Sequence, residues 1–188
     1  MAIKSTDITT KAKLCVDETL SSNTFNSQYL PIENFVDEAV RWVIDIVPAR
    51  ALGKGVEKVI PGNNTEIDDG RFLWAKGGGW DRVVSTFIYD DNPRYAQLKD
   101  PIFGASTTRP TVVINRGRNI VELHTVTGQS TIGYMPYAAS GGSYSLPSEF
   151  LDIVAWKVAE LVLSAISDVN GAAVCANKVN EHLESFQR

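Results

Sequence analysis

The stretch from Phe150 to Ile166 constrains this chain more than any other, because it is apolar except for Asp152, Lys157, Glu160 and Ser164. Wound at 100° per residue, those four together with Glu149 and Asp168 occupy roughly 160° of a helix circumference. The remainder is apolar, so the helix must be covered on more than one side. Pro147-Ser148-Glu149 supplies a start for it, and Asn170-Gly171 reads as its stop, with the alternative that Gly171 is carried inside one longer helix. Beyond it, Ala172, Cys175, Ala176, Val179, Leu183 and Phe186 recur as a narrower apolar stripe on a final helix.

The N-terminal end repeats this character. Ile8, Ala12, Cys15 and Val16 fall near one face of a helix from Asp7 to about Leu20, and Ser21-Ser22-Asn23-Thr24 interrupts it. Leu30-Pro31 opens a second helix, since proline is pre-shaped for the first helical position and its missing N–H costs nothing there. Its apolar face holds Ile32, Phe35, Val36, Ala39, Val40, Val43, Ile44 and Val47, opposite Glu33, Asp37, Glu38, Arg41 and Asp45, and Pro48 ends it.

The middle is β in character. Gly62 to Gly70, with Asn63-Asn64 and Asp68-Asp69, has the composition of a loop. Arg71–Trp74 and Arg82–Tyr89 are β-rich runs on either side of Gly77-Gly78-Gly79. Thr111–Asn115, Asn119–Val126 and Thr131–Tyr137 are three more, joined by Arg116-Gly117-Arg118 and Thr127-Gly128-Gln129-Ser130. Links this short suit antiparallel neighbours and exclude crossover helices, which predicts a meander. Asp91 to Arg109 reads as irregular. The expected fold is therefore α+β: one domain over 1–188, a helical bundle from segments 7–52 and 147–187, and an antiparallel β meander inserted at about 70–137.

Composition narrows the function classes. At 188 residues, 44% hydrophobic and 21% charged, the chain can bury a core without metals or disulfides. A net charge of −4 without long runs of one sign argues against a dedicated nucleic-acid or anionic-membrane binder. No stretch approaches the roughly 20 apolar residues of a membrane span, and Met1 to Lys13 lacks an apolar leader core, so a soluble cytosolic product is expected. Cys15 and Cys175 lie in opposite terminal helices, and buried free thiols are the expectation for both.

The motifs carry little chemistry. Gly53-Lys54-Gly55 and the triple glycine lack the Gly-Lys-Ser/Thr continuation of a phosphate loop and read as turns. His124 shares a strand face with Glu122, and His182 sits near the C-terminus; neither has metal-ligand spacing, so no metal or other cofactor is expected. Asp68-Asp69 and Asp90-Asp91 read as solvated turn residues. A rival reading is an enzyme or small-ligand domain with a pocket between sheet and helices, using His124, Glu122 and Asp90 or Asp91. A nucleic-acid module built on Arg116, Arg118 and the tryptophans is a third, which the net charge opposes. Trp42 and Trp156 read as core or near-core. Trp74 and Trp80 flank the glycine turn, either covering the end of the sheet or anchoring another chain.

A resemblance bears on these alternatives. The order of terminal helices around an inserted β region, the phrases Asp69-Gly70-Arg71-Phe72-Leu73-Trp74 and Trp80-Asp81-Arg82-Val83-Val84, the segment Asp91-Asn92-Pro93-Arg94-Tyr95, and Leu146-Pro147-Ser148-Glu149-Phe150-Leu151-Asp152 before an alanine-rich helix together resemble virion ring or head–tail adaptor (connector) proteins of tailed phages, crAss-like phages in particular. The resemblance runs from about Pro31 onward. Trp74-Ala75-Lys76 and three glycines stand where that family has a Leu-Pro-x-Asp-Phe phrase. The resemblance implies a non-enzymatic virion protein, made in the host cytoplasm and placed at the capsid–tail junction. It further implies a homo-oligomeric ring, twelvefold, docked under the portal protein beside other tail or ring proteins, with DNA passing through without sequence-specific contact. Trp74, Trp80, Arg116 and Arg118 are the interface candidates; Arg116-Gly117-Arg118 reads either as a plain structural turn with solvated arginines or as a projecting basic hairpin tip.

Overall fold

The computed structural model describes residues 2–20, 31–61, 64–66, 69–79, 84–85, 97–99, 111–115 and 120–187. In chain order the first elements are β1 (Ala2–Lys4), α1 (Ser5–Thr19), a 3-10 turn (Ile32–Phe35), α2 (Val36–Ile46) and a second 3-10 turn (Ala49–Leu52). Next come β2 (Val56–Pro61), β3 (Asn64–Glu66), β4 (Gly70–Lys76), β5 (Val84–Ser85), β6 (Gln97–Lys99), β7 (Thr111–Asn115), β8 (Ile120–His124) and β9 (Gln129–Pro136). The chain closes with β10 (Ser143–Pro147), a 3-10 turn (Ser148–Phe150), α3 (Leu151–Ala165) and α4 (Val169–Gln187). This is an α+β protein with helices at both ends and antiparallel sheet between them. The chain divides into two compact units, Met1–Ala51 with Tyr137–Arg188, and Leu52–Pro136. The nesting expected within one domain thus takes the form of two units, and the inserted one opens at Leu52 rather than near residue 70.

In the helical unit, α3 packs against α1, α2 and α4. Its Val154, Ala155, Val158, Ala159, Val162 and Leu163 are all fully buried, which is how a helix with so narrow a polar stripe must sit. The buried face of α1 is Ile8, Ala12, Cys15 and Val16, and that of α2 is Val36, Ala39, Val40, Val43 and Ile44, both as the spacing predicts. Phe150 is wholly enclosed and stacks on Phe186 of α4, ring centroids 4.5 Å apart. β1 is too short to show a pattern in sequence; it pairs antiparallel with β10, placing Ile3 opposite Tyr144.

The break between α3 and α4 falls earlier than Asn170-Gly171. Ser167 takes a left-handed φ of 62°, the Asp168 N–H donates to the Leu163 carbonyl (2.9 Å), and the Asp168 carboxylate accepts from the Gly171 N–H (3.0 Å). Asp168 therefore caps α4, and Gly171 lies in its first turn. A Cβ there would stand 3.0 Å from the Thr19 carbonyl oxygen, so the glycine serves a close approach of α1 and α4 instead of a helix stop.

In the β unit one sheet has the order β2-β9-β4-β5, antiparallel throughout, and the other has β3-β8-β7-β6, with β6 parallel to β7. Ile60, Phe72, Ala75 and Ile132 from the first and Val112, Val121 and Leu123 from the second form one apolar core. Consecutive antiparallel pairing holds for β4–β5 and β7–β8, but β8 and β9 belong to different sheets despite their short link. Thr125 (φ 67°) and Gly128 (φ 114°) redirect the chain, and the Thr127 N–H donates to the Gly78 carbonyl (2.8 Å). Inward-facing side chains on both strands are buried better by crossing between sheets than by folding back as a hairpin. Two segments read as irregular hold strands: β3 lies within 62–70 and β6 within 91–109.

Candidate functional site

Of the four interface candidates, Trp74 is described, while Trp80, Arg116 and Arg118 lie outside the described residues. Trp74 stands on β4, whose register against β9 shifts between Phe72 and Trp74, so Leu73 and Trp74 both face the single residue Gly133. This bulge spares Trp74 the core position that strict alternation from Phe72 would give it. The indole instead lies over Gly133, where a Cβ would come within 2.0 Å of Nε1. Its N–H donates to the Lys54 carbonyl (2.8 Å), and the ring is half-buried. Beside it, Leu73 is fully buried, and its Cδ1 stands 2.8 Å from where a Cβ on Gly55 would be. Gly55, at φ 66°, therefore serves both a left-handed turn and a close contact. The seat of Trp74, namely Gly133 and Lys54, could not be read from sequence, because it depends on the bulge and on which strand lies alongside.

The triple glycine is likewise a packing device. Gly78 donates its N–H to Ser130 Oγ (3.2 Å), and a Cβ on Gly79 would meet Thr127 Oγ1 at 2.2 Å. This agrees with the turn reading of that segment.

Glu122 and His124 share the half-exposed face of β8 while Val121 and Leu123 point inward, as alternation predicts. His124 Nε2 stands 3.4 Å from Glu122 Oε2 and has no hydrogen-bond partner among the described residues. Asp90 and Asp91, the other members of the rival enzyme reading, lie outside the described residues, so only the pair on one strand is brought together. No group of three or more potential metal ligands occurs among the described residues.

Several polar groups of the helical unit are paired. The stripe on α3 is used by its neighbours: Asp152 pairs with Lys11 of α1, and Lys157 bonds Glu160 (2.8 Å) while its ammonium stands 4.4 Å from the Trp42 ring centroid. The Tyr137 hydroxyl donates to Asp45 (2.5 Å), with the Arg41 guanidinium 4.7 Å from its ring centroid. The Tyr144 hydroxyl donates to Asp37, and burial, reinforced by that carboxylate, raises its pKa above the ordinary phenol value. Both cysteines are free and buried. Burial pushes the Cys15 thiol up to about 12, with nearby Cys175 adding to the effect, and burial raises Cys175 as well. Exposed apolar residues occur at Leu14, Val59 and Val169, but single exposed apolar side chains are ordinary on protein surfaces and do not define an interface. No helix among the described residues is long and apolar enough to cross a membrane.

No protein-family model matches the chain, and no curated protein matches it.

Proposed function

We propose that the chain is a structural virion protein, a subunit of the connector ring at the capsid–tail junction of a tailed phage, docked under the portal and lining the channel through which DNA passes. The observation that supports this reading is the nested order along the chain: helices precede and follow an inserted β unit in sequence, the element order on which the resemblance rests. Two of the four resembling phrases fall on structural joints among the described residues. Asp69 to Trp74 is the turn into β4 with its bulge, and Leu146 to Asp152 is the passage from β10 into α3, with Phe150 at its centre.

Two features bear on where such contacts would lie. α3 has its several partners inside the chain, so the ring reading does not draw on that helix. Trp74 has its N–H committed to Lys54, so the exposed part of its ring offers a partner only apolar or cation–π contact. Arg116 and Arg118 are the proposed polar contacts, toward an acidic neighbour or toward phosphates of passing DNA.

Native mass measurement over a range of concentrations, with electron microscopy of the same samples alone and with the cognate portal, tests the proposal. Closed rings, twelvefold and seated on the portal, are the expected result. A monomer at every concentration, with no association with the portal, overturns it.

A further inference from the structure

We propose that Asn170, in the chain's one Asn-Gly pair, is a site of spontaneous deamidation that the first turn of α4 holds shut and that local opening of this turn exposes. The pair is chemically competent because glycine, having no side chain, leaves its main-chain nitrogen unhindered for attack on the preceding carboxamide. Asn170 is exposed, so water and base reach it. In the folded chain three contacts close the site. The Gly171 N–H, whose proton must leave before the nitrogen can attack, donates to Asp168 Oδ1 (3.0 Å), and a carboxylate there opposes a second negative charge beside it. Asn170 is helical, and the Ala172 N–H ties the turn to the Asp168 carbonyl (3.0 Å), so the nitrogen cannot swing onto the side-chain carbon without breaking the turn. Gly171 is itself buried, and a Cβ on it would stand 2.9 Å from the Asp168 carboxylate and 3.0 Å from the Thr19 carbonyl oxygen. Helix ends open before helix centres, and this one begins on Val169, 76% exposed, two residues after Ser167 at a left-handed φ of 62°.

The chemistry needs only water. The Gly171 nitrogen gives its proton to solvent and bonds to the Asn170 side-chain carbon, whose C–N bond to the amide nitrogen breaks. Ammonia leaves, taking up a proton, and a cyclic imide remains. Water then adds at either imide carbonyl and opens the ring, giving aspartate or, where the main chain now runs through the side-chain carbon, isoaspartate. Nothing is oxidised or reduced, and the sum is amide plus water to acid plus ammonia. Isoaspartate adds one carbon to the main chain inside the first turn of α4, which displaces Gly171 from its seat against Thr19 and removes the capping geometry at Asp168. The inference does not depend on the ring reading.

The test incubates the full chain in mildly alkaline buffer, folded and in guanidinium chloride above its unfolding transition, and follows the peptide containing Asn170 by mass and chromatography. Expected are aspartate and isoaspartate at position 170, formed slowly in the folded chain and much faster in the unfolded one. Asp168→Ala, while still folded, should raise the native rate roughly fivefold, the shift in opening that loss of a typical cap produces. Asp168→Ser restores a capping oxygen and should keep the rate near that of the wild type. Should Asp168→Ala fail to fold, the wild type decides alone: a rate that climbs at denaturant concentrations below the global transition marks opening of the turn. Equal rates in the folded and unfolded wild type, a folded Asp168→Ala no faster than the wild type, or a rate that rises only with global unfolding would each overturn the proposal.

Discussion

Gly133 and Trp74 form a cross-strand pair in which the small residue makes room for the large one, and the indole N–H then fixes the turn at Lys54. A methyl group at 133 cannot coexist with the ring in this position. Gly133→Ala should expel the indole, break its hydrogen bond and destabilise the chain by about 1–3 kcal/mol, as overpacking does, measured by urea denaturation. An unchanged midpoint would mean that the ring has another place to go. The cysteines give a pH signature. Their unfolded-state pKa is near 9.0, and burial first, then the charges of Cys175, Glu18 and Asp152 against the opposing pull of Lys11, raise the folded value of Cys15 to about 12. A raised folded pKa means stability is fully present below pH 9 and is lost as pH climbs toward 12, because the unfolded state releases its proton first. The slope is about 1.4 kcal/mol per pH unit for each thiol. Tyr144 acts in the same direction above its ordinary value of 10.0. Stability measured from pH 8 to 11 should fall more gently in Cys15→Ala than in the wild type. Parallel curves would contradict this.

At the scale of elements, the helices were the legible part. A 3.6-residue period records which face is buried, and for α1, α2 and α3 the apolar face read from sequence is the buried face. Ala159 is 0% exposed at the middle of α3, so Ala159→Asp would bury a carboxylate without a partner and cost about 3 kcal/mol or more. An unchanged melting temperature would show that the helix can turn that face to solvent. Strand partners were much less legible. Alternation tells which side chains point inward, as for Val121 and Leu123, but not which neighbouring edge a strand joins, so the passage of β9 into the other sheet left no local mark. β1, β3 and β6, at three residues each, are too short for any period to appear. Gly171 misled for a related reason: a glycine that permits helix contact looks the same in sequence as one that ends a helix. Of the interface candidates, only the setting of Trp74 is described, and its partners Gly133 and Lys54 are remote from it in sequence.

At the scale of the whole chain, the sequence carried the nested order but placed the start of the insertion too late, since Val56–Pro61 mixes Glu57 and Lys58 with apolar residues and closes on a proline. The two-unit division makes a direct prediction. The helical unit covers α3 with α1, α2 and α4, and closes its own polar contacts through Lys11–Asp152, Tyr144–Asp37 and Tyr137–Asp45. Tyr137 is the residue at which the chain re-enters this unit, and Asp45 lies on α2 shortly before Ala51, where the chain leaves it. The two cut ends are therefore held near one another by the unit itself. A chain in which a short Gly/Ser link replaces 52–136 keeps about 100 residues, ordinary for an independent domain. It should give a helix-dominated circular dichroism spectrum and a single cooperative melt. It should also retain the buried thiols, slow to react until the protein is unfolded. A non-cooperative melt with immediately reactive thiols would instead mean that the β unit supplies burial the helices cannot do without.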